Sequence, residues 1–187
     1  MADQSDELTQ FRNAAKALYQ QGQYADAIKA ATAAVQLGIH LHGQGDPSVA
    51  EDFGFLGLIY KAAGIYDRAE ECYRYAIDTL RSTKGNDAKE LANHLNNLGV
   101  LYKLLGRFAD AAPLYQDALR LRQATFGEHS LEVINSRSNI AALFEAAGNE
   151  DAALSEYIQA MELARSVGED AHPFVTTILN KDRKSVV

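Results

Sequence analysis

Four glycines, Gly22, Gly64, Gly106 and Gly148, stand 42 residues apart in this chain. Each opens the same local pattern: GQYADAI (22–28), GIYDRAE (64–70), GRFADAA (106–112) and GNEDAAL (148–154). Five residues after the glycine only alanine is found, at Ala27, Ala69, Ala111 and Ala153. Twelve after it the same holds, at Ala34, Ala76, Ala118 and Ala160. Large residues fill places between them: Tyr24, Tyr66 and Phe108 two after the glycine, where Glu150 departs, and Tyr73, Tyr115 and Tyr157 nine after it, where Ala31 departs. A fixed period of this size marks a supersecondary unit that cannot bury its apolar face alone and stacks on its neighbours. Function then belongs on a shared surface and not in a single catalytic pocket.

The glycine supplies the positive φ that closes a helix C-terminus, so each unit reads as a helix A, a tight turn and a helix B. The alanines let backbones approach, and the aromatics fill the space beside them. Seven and eight residues before the glycine lie Ala14 and Ala15, Leu56 and Gly57, Leu98 and Gly99, Ile140 and Ala141. Four before it stand Leu18, Tyr60, Tyr102 and Phe144, completing the apolar face of helix A.

This set of positions resembles the tetratricopeptide repeat (TPR) over residues 8–175, about nine tenths of the chain. The ordinary repeat of that family has about 34 residues. The eight extra ones lengthen each helix by roughly one turn, and the longer repeat looks like the kinesin light chain subgroup. The run LNNLGVLYKLLGRFADAAPLYQDALRLRQATFGEHSLEV (95–133) is similar to that subgroup's repeat along its whole length. The resemblance implies an all-α, right-handed α-solenoid of four helix-turn-helix TPR hairpins and a C-terminal capping helix. It would form a single domain over 1–187, with repeats at 8–49, 50–91, 92–133 and 134–175 and a short cap at 176–187.

Local signals agree with these boundaries. Asp46 followed by Pro47 is a helix N-terminal signal, and Pro173 lies three periods later. The links STKGNDAKEL and FGEHSLEV lack the proline. Pro113 falls a few residues into a helix B, where the missing N–H is expected to be unpaired in any case. The acidic MADQSDE start reads as a frayed lead-in without the apolar core of a secretory signal. The last residues, TTILNKDRKSVV, begin a further helix and give the array a polar end.

No stretch of 18 apolar residues could span a bilayer. The single cysteine, Cys72, cannot form an internal disulfide and points to a reducing, cytoplasmic setting. A net charge of −7 argues against nucleic-acid or anionic-membrane binding, which rests on basic patches. Residues 134–175 carry seven acidic and two basic residues and the last twelve carry one and three, so the tail either docks on the fourth repeat or both faces are simply solvated.

In the family that is resembled, binding takes place on the concave surface lined by helices A. Residues three, four and seven apart share a helix face, and the face turned from the core is Thr9, Arg12, Asn13, Lys16 and Gln20 in repeat one. In repeat two it is Glu51, Gly54, Phe55, Leu58 and Lys61. It continues as Asn93, Asn96, Asn97, Val100 and Lys103, then Asn135, Ser138, Asn139, Ala142 and Glu145. Asn13, Asn97 and Asn139 occupy one equivalent place, broken by Phe55, and Asn93 and Asn135 another. An amide both donates and accepts, so such a row can hold the backbone of an extended peptide, as the resemblance also implies. Equally, these amides can bond to their own helices or to neighbouring repeats. Phe55, Leu58 and Val100 would form an apolar pocket for one anchor side chain, or pack adjacent helices A together. Arg12, Lys16, Lys61 and Lys103 against Glu51 and Glu145 leave the surface mildly basic in an acidic protein and suited to an acidic partner.

A clamp for the terminal carboxylate of heat-shock chaperones, known in one subset of the family, is not matched, because Phe55, Gly54 and Leu58 replace its polar residues. His40, His42, His94, His129 and His172 have no metal-ligand spacing, and no phosphate loop, GxSxG motif or reactive-cysteine setting is present. The expectation is a non-enzymatic interaction module without cofactor or metal that binds a protein or peptide. A self-assembling scaffold is the alternative.

Overall fold

The computed structural model describes residues 2–82 and 88–168. Among these the chain is entirely helical, with eight helices in order: α1 (Ala2–Gln20), α2 (Tyr24–His42), α3 (Pro47–Ala62), α4 (Tyr66–Ser82), α5 (Ala88–Leu104), α6 (Phe108–Phe126), α7 (Leu131–Ala146) and α8 (Glu150–Ser166). They divide into two compact units, Met1–Leu101 and Tyr102–Val187. The expected capping helix at 176–187 and its basic tail lie outside the described residues, as do Pro173 and His172.

Each turn glycine does what its spacing requires. Gly22, Gly64, Gly106 and Gly148 have φ between 72° and 77°, the left-handed region that glycine enters without a Cβ penalty. All four turns close with the same pair of bonds. The amide after the glycine donates to the carbonyl five residues back, as in Gln23 to Leu18 and Ile65 to Tyr60. The glycine amide donates three residues back, as in Gly22 to Tyr19 and Gly64 to Lys61. This is the Schellman arrangement, which satisfies carbonyls the helix end would leave unpaired. Leu18, Tyr60, Tyr102 and Phe144 therefore hold the turn as well as the apolar face. In the third turn the residue after the glycine also covers the ring: the Arg107 guanidinium lies 4.0 Å from the centre of Tyr102.

Packing inside the hairpins follows the small-large pattern. All eight repeat alanines are buried. In the α3–α4 hairpin, the Tyr73 ring lies where a Cβ on Gly57 would come to 3.0 Å, so glycine makes room for the aromatic. In α7–α8 the equivalent pair is Ala141 and Tyr157; Tyr157 is only half-buried, and its hydroxyl donates to Glu145 at 3.1 Å. Burial, and then the Glu145 carboxylate, push Tyr157 up to about 12. In the first unit one core joins Ala15, Ala27, Ala31, Val35, Leu56, Ile59 and Cys72, and a second joins Ala50, Ala76 and Leu80, with Leu91 against it. In the second unit Ile134 and Ala164 pack with Met161, Leu163 and Val167. Burial pushes the Cys72 thiol up to about 12, so it is a core group and not a nucleophile.

The links use different caps for the same purpose. Asp46 accepts from the amide of Ser48 at 2.8 Å with Pro47 at the first helical position, as the sequence indicates. Where proline is missing before α7, Ser130 accepts from the amide of Val133 at 3.4 Å. The break in pattern at Glu150 has a similar reason: Asn149 accepts from the amide of Ala152 at 3.2 Å and caps α8, and Glu150 complements the helix dipole.

Two expectations change. The acidic start is not a frayed lead-in: α1 begins at Ala2, and acidic residues suit a helix N-terminus. Pro113 is the sixth residue of α6, beyond the first turn, so it removes a bond to the Ala109 carbonyl; both residues are exposed, and the helix runs through.

Nothing lies within 4 Å of a Cβ built on Gly64, so Gly64→Ala tests the backbone alone. Its positive φ should cost about 1–2 kcal/mol, read as a lower urea midpoint with an unchanged slope.

Candidate functional site

Helices α1, α3 and α5 carry most of the candidate residues in the first unit, and two contacts place these helices side by side. Arg12 on α1 donates from Nε and Nη2 to the two carboxylate oxygens of Asp52 on α3, each at 2.7 Å, and Nη2 also reaches the Ser48 carbonyl at 3.5 Å. His94 on α5 lies against α3 at Gly54, where a Cβ would fall 1.9 Å from its ring.

Both contacts join the same pair of places in the repeat: ten residues before one turn glycine and twelve before the next. The residue twelve before the glycine is buried and polar in three repeats, with Asp52 9%, His94 6% and Ser136 2% exposed. A third place, sixteen after the glycine, also meets it. Asp52 comes within 3.2 Å of a Cβ built on Gly38, and in the second unit Arg122 donates to the Ser136 hydroxyl at 2.8 Å while that hydroxyl donates to the Glu132 carbonyl.

This seam engages one residue and buries another that helical periodicity assigns to the outward face. Arg12 is bound bidentately to Asp52, which holds its guanidinium above the ordinary value. Gly54 is buried beneath His94 and faces a neighbouring helix, not solvent. The seam residues themselves were missed, although a polar residue at every twelfth place before the glycine was a readable signal. Tyr19 was missed too. It stands three before its glycine, as Lys61, Lys103 and Glu145 do, whereas the face read from periodicity takes Gln20 there.

The remaining candidates divide by what they bond. Asn13 and Lys16 are exposed on α1. Phe55 and Leu58 are half-buried on α3, and the Phe55 ring meets Tyr19 edge-on at 5.8 Å, with Tyr24 6.0 Å beyond. Lys61 is half-buried with no carboxylate acting on it, and burial holds its ammonium below the ordinary value. Asn93 donates to Glu90 at 3.3 Å, Thr9 to the Ser5 carbonyl and Ser138 to the Ile134 carbonyl, so these three bond to their own helices. Asn96, Asn97 and Val100 are half-buried on α5. In the second unit Lys103 is half-buried at the end of α5, Asn135 exposed and Asn139 half-buried on α7. In the link before α7, His129 Nδ1 meets the Ser166 hydroxyl at 3.2 Å, a structural tie.

The tetratricopeptide repeat profile matches residues 8–48 and 90–166, together well over half of the chain. The chain belongs to the tetratricopeptide repeat family. It is accordingly a protein-interaction module. No curated protein is significantly similar in sequence. Among solved structures, BtubC (BKLC) of P. vanneervenii is 22% identical with a TM-score of 0.75, over 88% of this chain and 72% of that one. A Podosopora anserina protein described as a kinesin light chain with nearly identical TPR-like repeats is 18% identical with a TM-score of 0.79, over 91% and 81%. MamA is 18% identical with a TM-score of 0.63, over 87% and 81%. In fold the repeats are thus of the kinesin light chain-like type. No helix among the described residues is long and apolar enough to cross a membrane.

Arg12→Ala leaves the buried Asp52 carboxylate without its partner and should cost about 3 kcal/mol, measured by urea unfolding. Gly54→Ala should cost about 1–3 kcal/mol through overpacking against His94, and His94→Ala added to it should restore most of the loss.

Proposed function

We propose that the chain is a non-enzymatic cytoplasmic adaptor that holds a peptide or partner segment along the outward faces of its helices A. The reading takes these helices as the concave side of one four-repeat, right-handed solenoid. The observation that carries it is a contrast among polar side chains. Thr9, Asn93 and Ser138 satisfy themselves on their own helices, while Asn13 and Asn97, equivalent in the repeat, have no hydrogen bond to any described residue. Such amides can donate to and accept from a peptide backbone.

Phe55 interrupts their row with an apolar side chain braced by Tyr19, a fitting contact for one anchor residue. Lys16 and Lys61, with Arg12 already paired, leave a local positive charge in the first unit, which favours an acidic partner. Asn96 and Val100 extend this surface on α5. Lys103, Asn135 and Asn139 are the second unit's contribution.

A self-assembling scaffold is the second reading, favoured by Leu154 and Ile158. They lie one turn apart on α8 and are 52% and 39% exposed.

Arrays of peptides of graded net charge supply the ligand for the decisive comparison. The Phe55→Ala, Asn97→Ala variant should bind the selected peptide at least about tenfold more weakly with unchanged helical circular dichroism; undiminished affinity overturns the adaptor reading. Light scattering that shows a monomer at high concentration removes the scaffold.

A further inference from the structure

His94 differs from the other members of its position. Asp52 has Arg12, and Ser136 has Arg122. Among the described residues His94 has neither a donor nor an acceptor for a partner: both ring nitrogens are buried and without a hydrogen bond. What surrounds it explains this. From α3 it meets Gly54, which has no side chain, and the nearby Asp52 is bound to Arg12 in the preceding seam. On α4 the place equivalent to Gly38 and Arg122 is Leu80, buried and apolar. Glu90, a turn earlier on α5, is the charge that acts on the ring; its attraction for a proton is outweighed by burial.

A neutral imidazole fits this site, and a charged one would be desolvated with only the Glu90 carboxylate acting on it and no hydrogen-bond acceptor among the described residues. We infer that the α3–α5 seam is an acid-released latch, closed while His94 is neutral and opened when the ring takes up a proton. The seam holds α5, and with it Asn93, Asn96 and Asn97, against α3. Acidification therefore loosens one packed edge of the first unit while the Arg12–Asp52 seam, an ion pair, stays closed over the same range. The latch is independent of what the surface binds.

The direction follows from linkage. Burial holds the folded value below the ordinary 6.5, which the unfolded chain retains. As pH falls through 6.5 the unfolded chain binds the proton first, so the stability that is complete above 6.5 is lost down to the folded value. Across that window one proton raises the unfolding constant about tenfold per pH unit.

The full chain is titrated between pH 8 and 5 in three ways. The His94 ring proton followed by NMR should titrate below 6.5. Urea midpoints should fall across the window in the wild type and much less in His94→Leu. Hydrogen exchange, corrected for its intrinsic pH dependence, should quicken first in α5. Titration of His94 at or above 6.5, or an equal fall in His94→Leu, overturns the latch. Should His94→Leu fail to fold, exchange in the wild type decides: acceleration led by α5 supports the latch, and uniform acceleration overturns it.

Discussion

The residue twelve before the second, third and fourth turn glycines sits where successive hairpins meet, and the contacts between hairpins depend on how that place is filled. Three fillings occur. An aspartate faces an arginine across from it and a glycine beside it; a histidine faces a glycine; a serine accepts from an arginine. Size and charge are traded among the positions: Asp52 and Ser136 each find an arginine, while His94 is held neutral by burial without a hydrogen bond. A buried polar group without a partner costs about 1–3 kcal/mol, which the two arginines avert at Asp52 and Ser136 and nothing averts at His94.

Hairpins and seams obey different rules. Within each hairpin the solution recurs: positive-φ glycine, Schellman bonds and buried alanines at five and twelve, to which α3–α4 adds a glycine opposite a tyrosine. The pairing changes with its members: in α7–α8 Ala141 stands in place of glycine, and Tyr157 is half-buried and bonded to Glu145. Between hairpins no solution repeats. Uniform units are thus joined by individual connections, consistent with a fold whose local geometry is fixed and whose surface is free to vary.

Most of the fold was legible because its determinants lie close together in sequence. Glycines and alanines at fixed offsets report a turn and a close helix approach without reference to any distant residue. The seam was harder to read. Helical periodicity says which residues share a face, but not where on that face a neighbouring helix crosses, and so Arg12 and Gly54 were placed with the outward residues. The polar character of Asp52, His94 and Ser136 hinted at their role; their partners, 14 to 40 residues away, follow only from the crossing geometry. Tyr19 was lost to an offset of one residue. For the surface itself, chemistry was visible in Asn13, Phe55 and Asn97, whereas the bonds that occupy Asn93 and Ser138 depend on rotamers that sequence does not specify.

Because the hairpins are alike and the seams are not, the repeats cannot be reordered. A chain that lost its second repeat would still present a correctly spaced array of turns. Yet it would bring the Arg12 guanidinium to His94, with Gly38 beside them and no carboxylate to balance the cation. Loss of the third would instead offer Gly54 and Leu80 to Ser136, leaving a void where a ring had been. A unit of 42 residues can be copied, but its neighbours determine whether the copy can be kept.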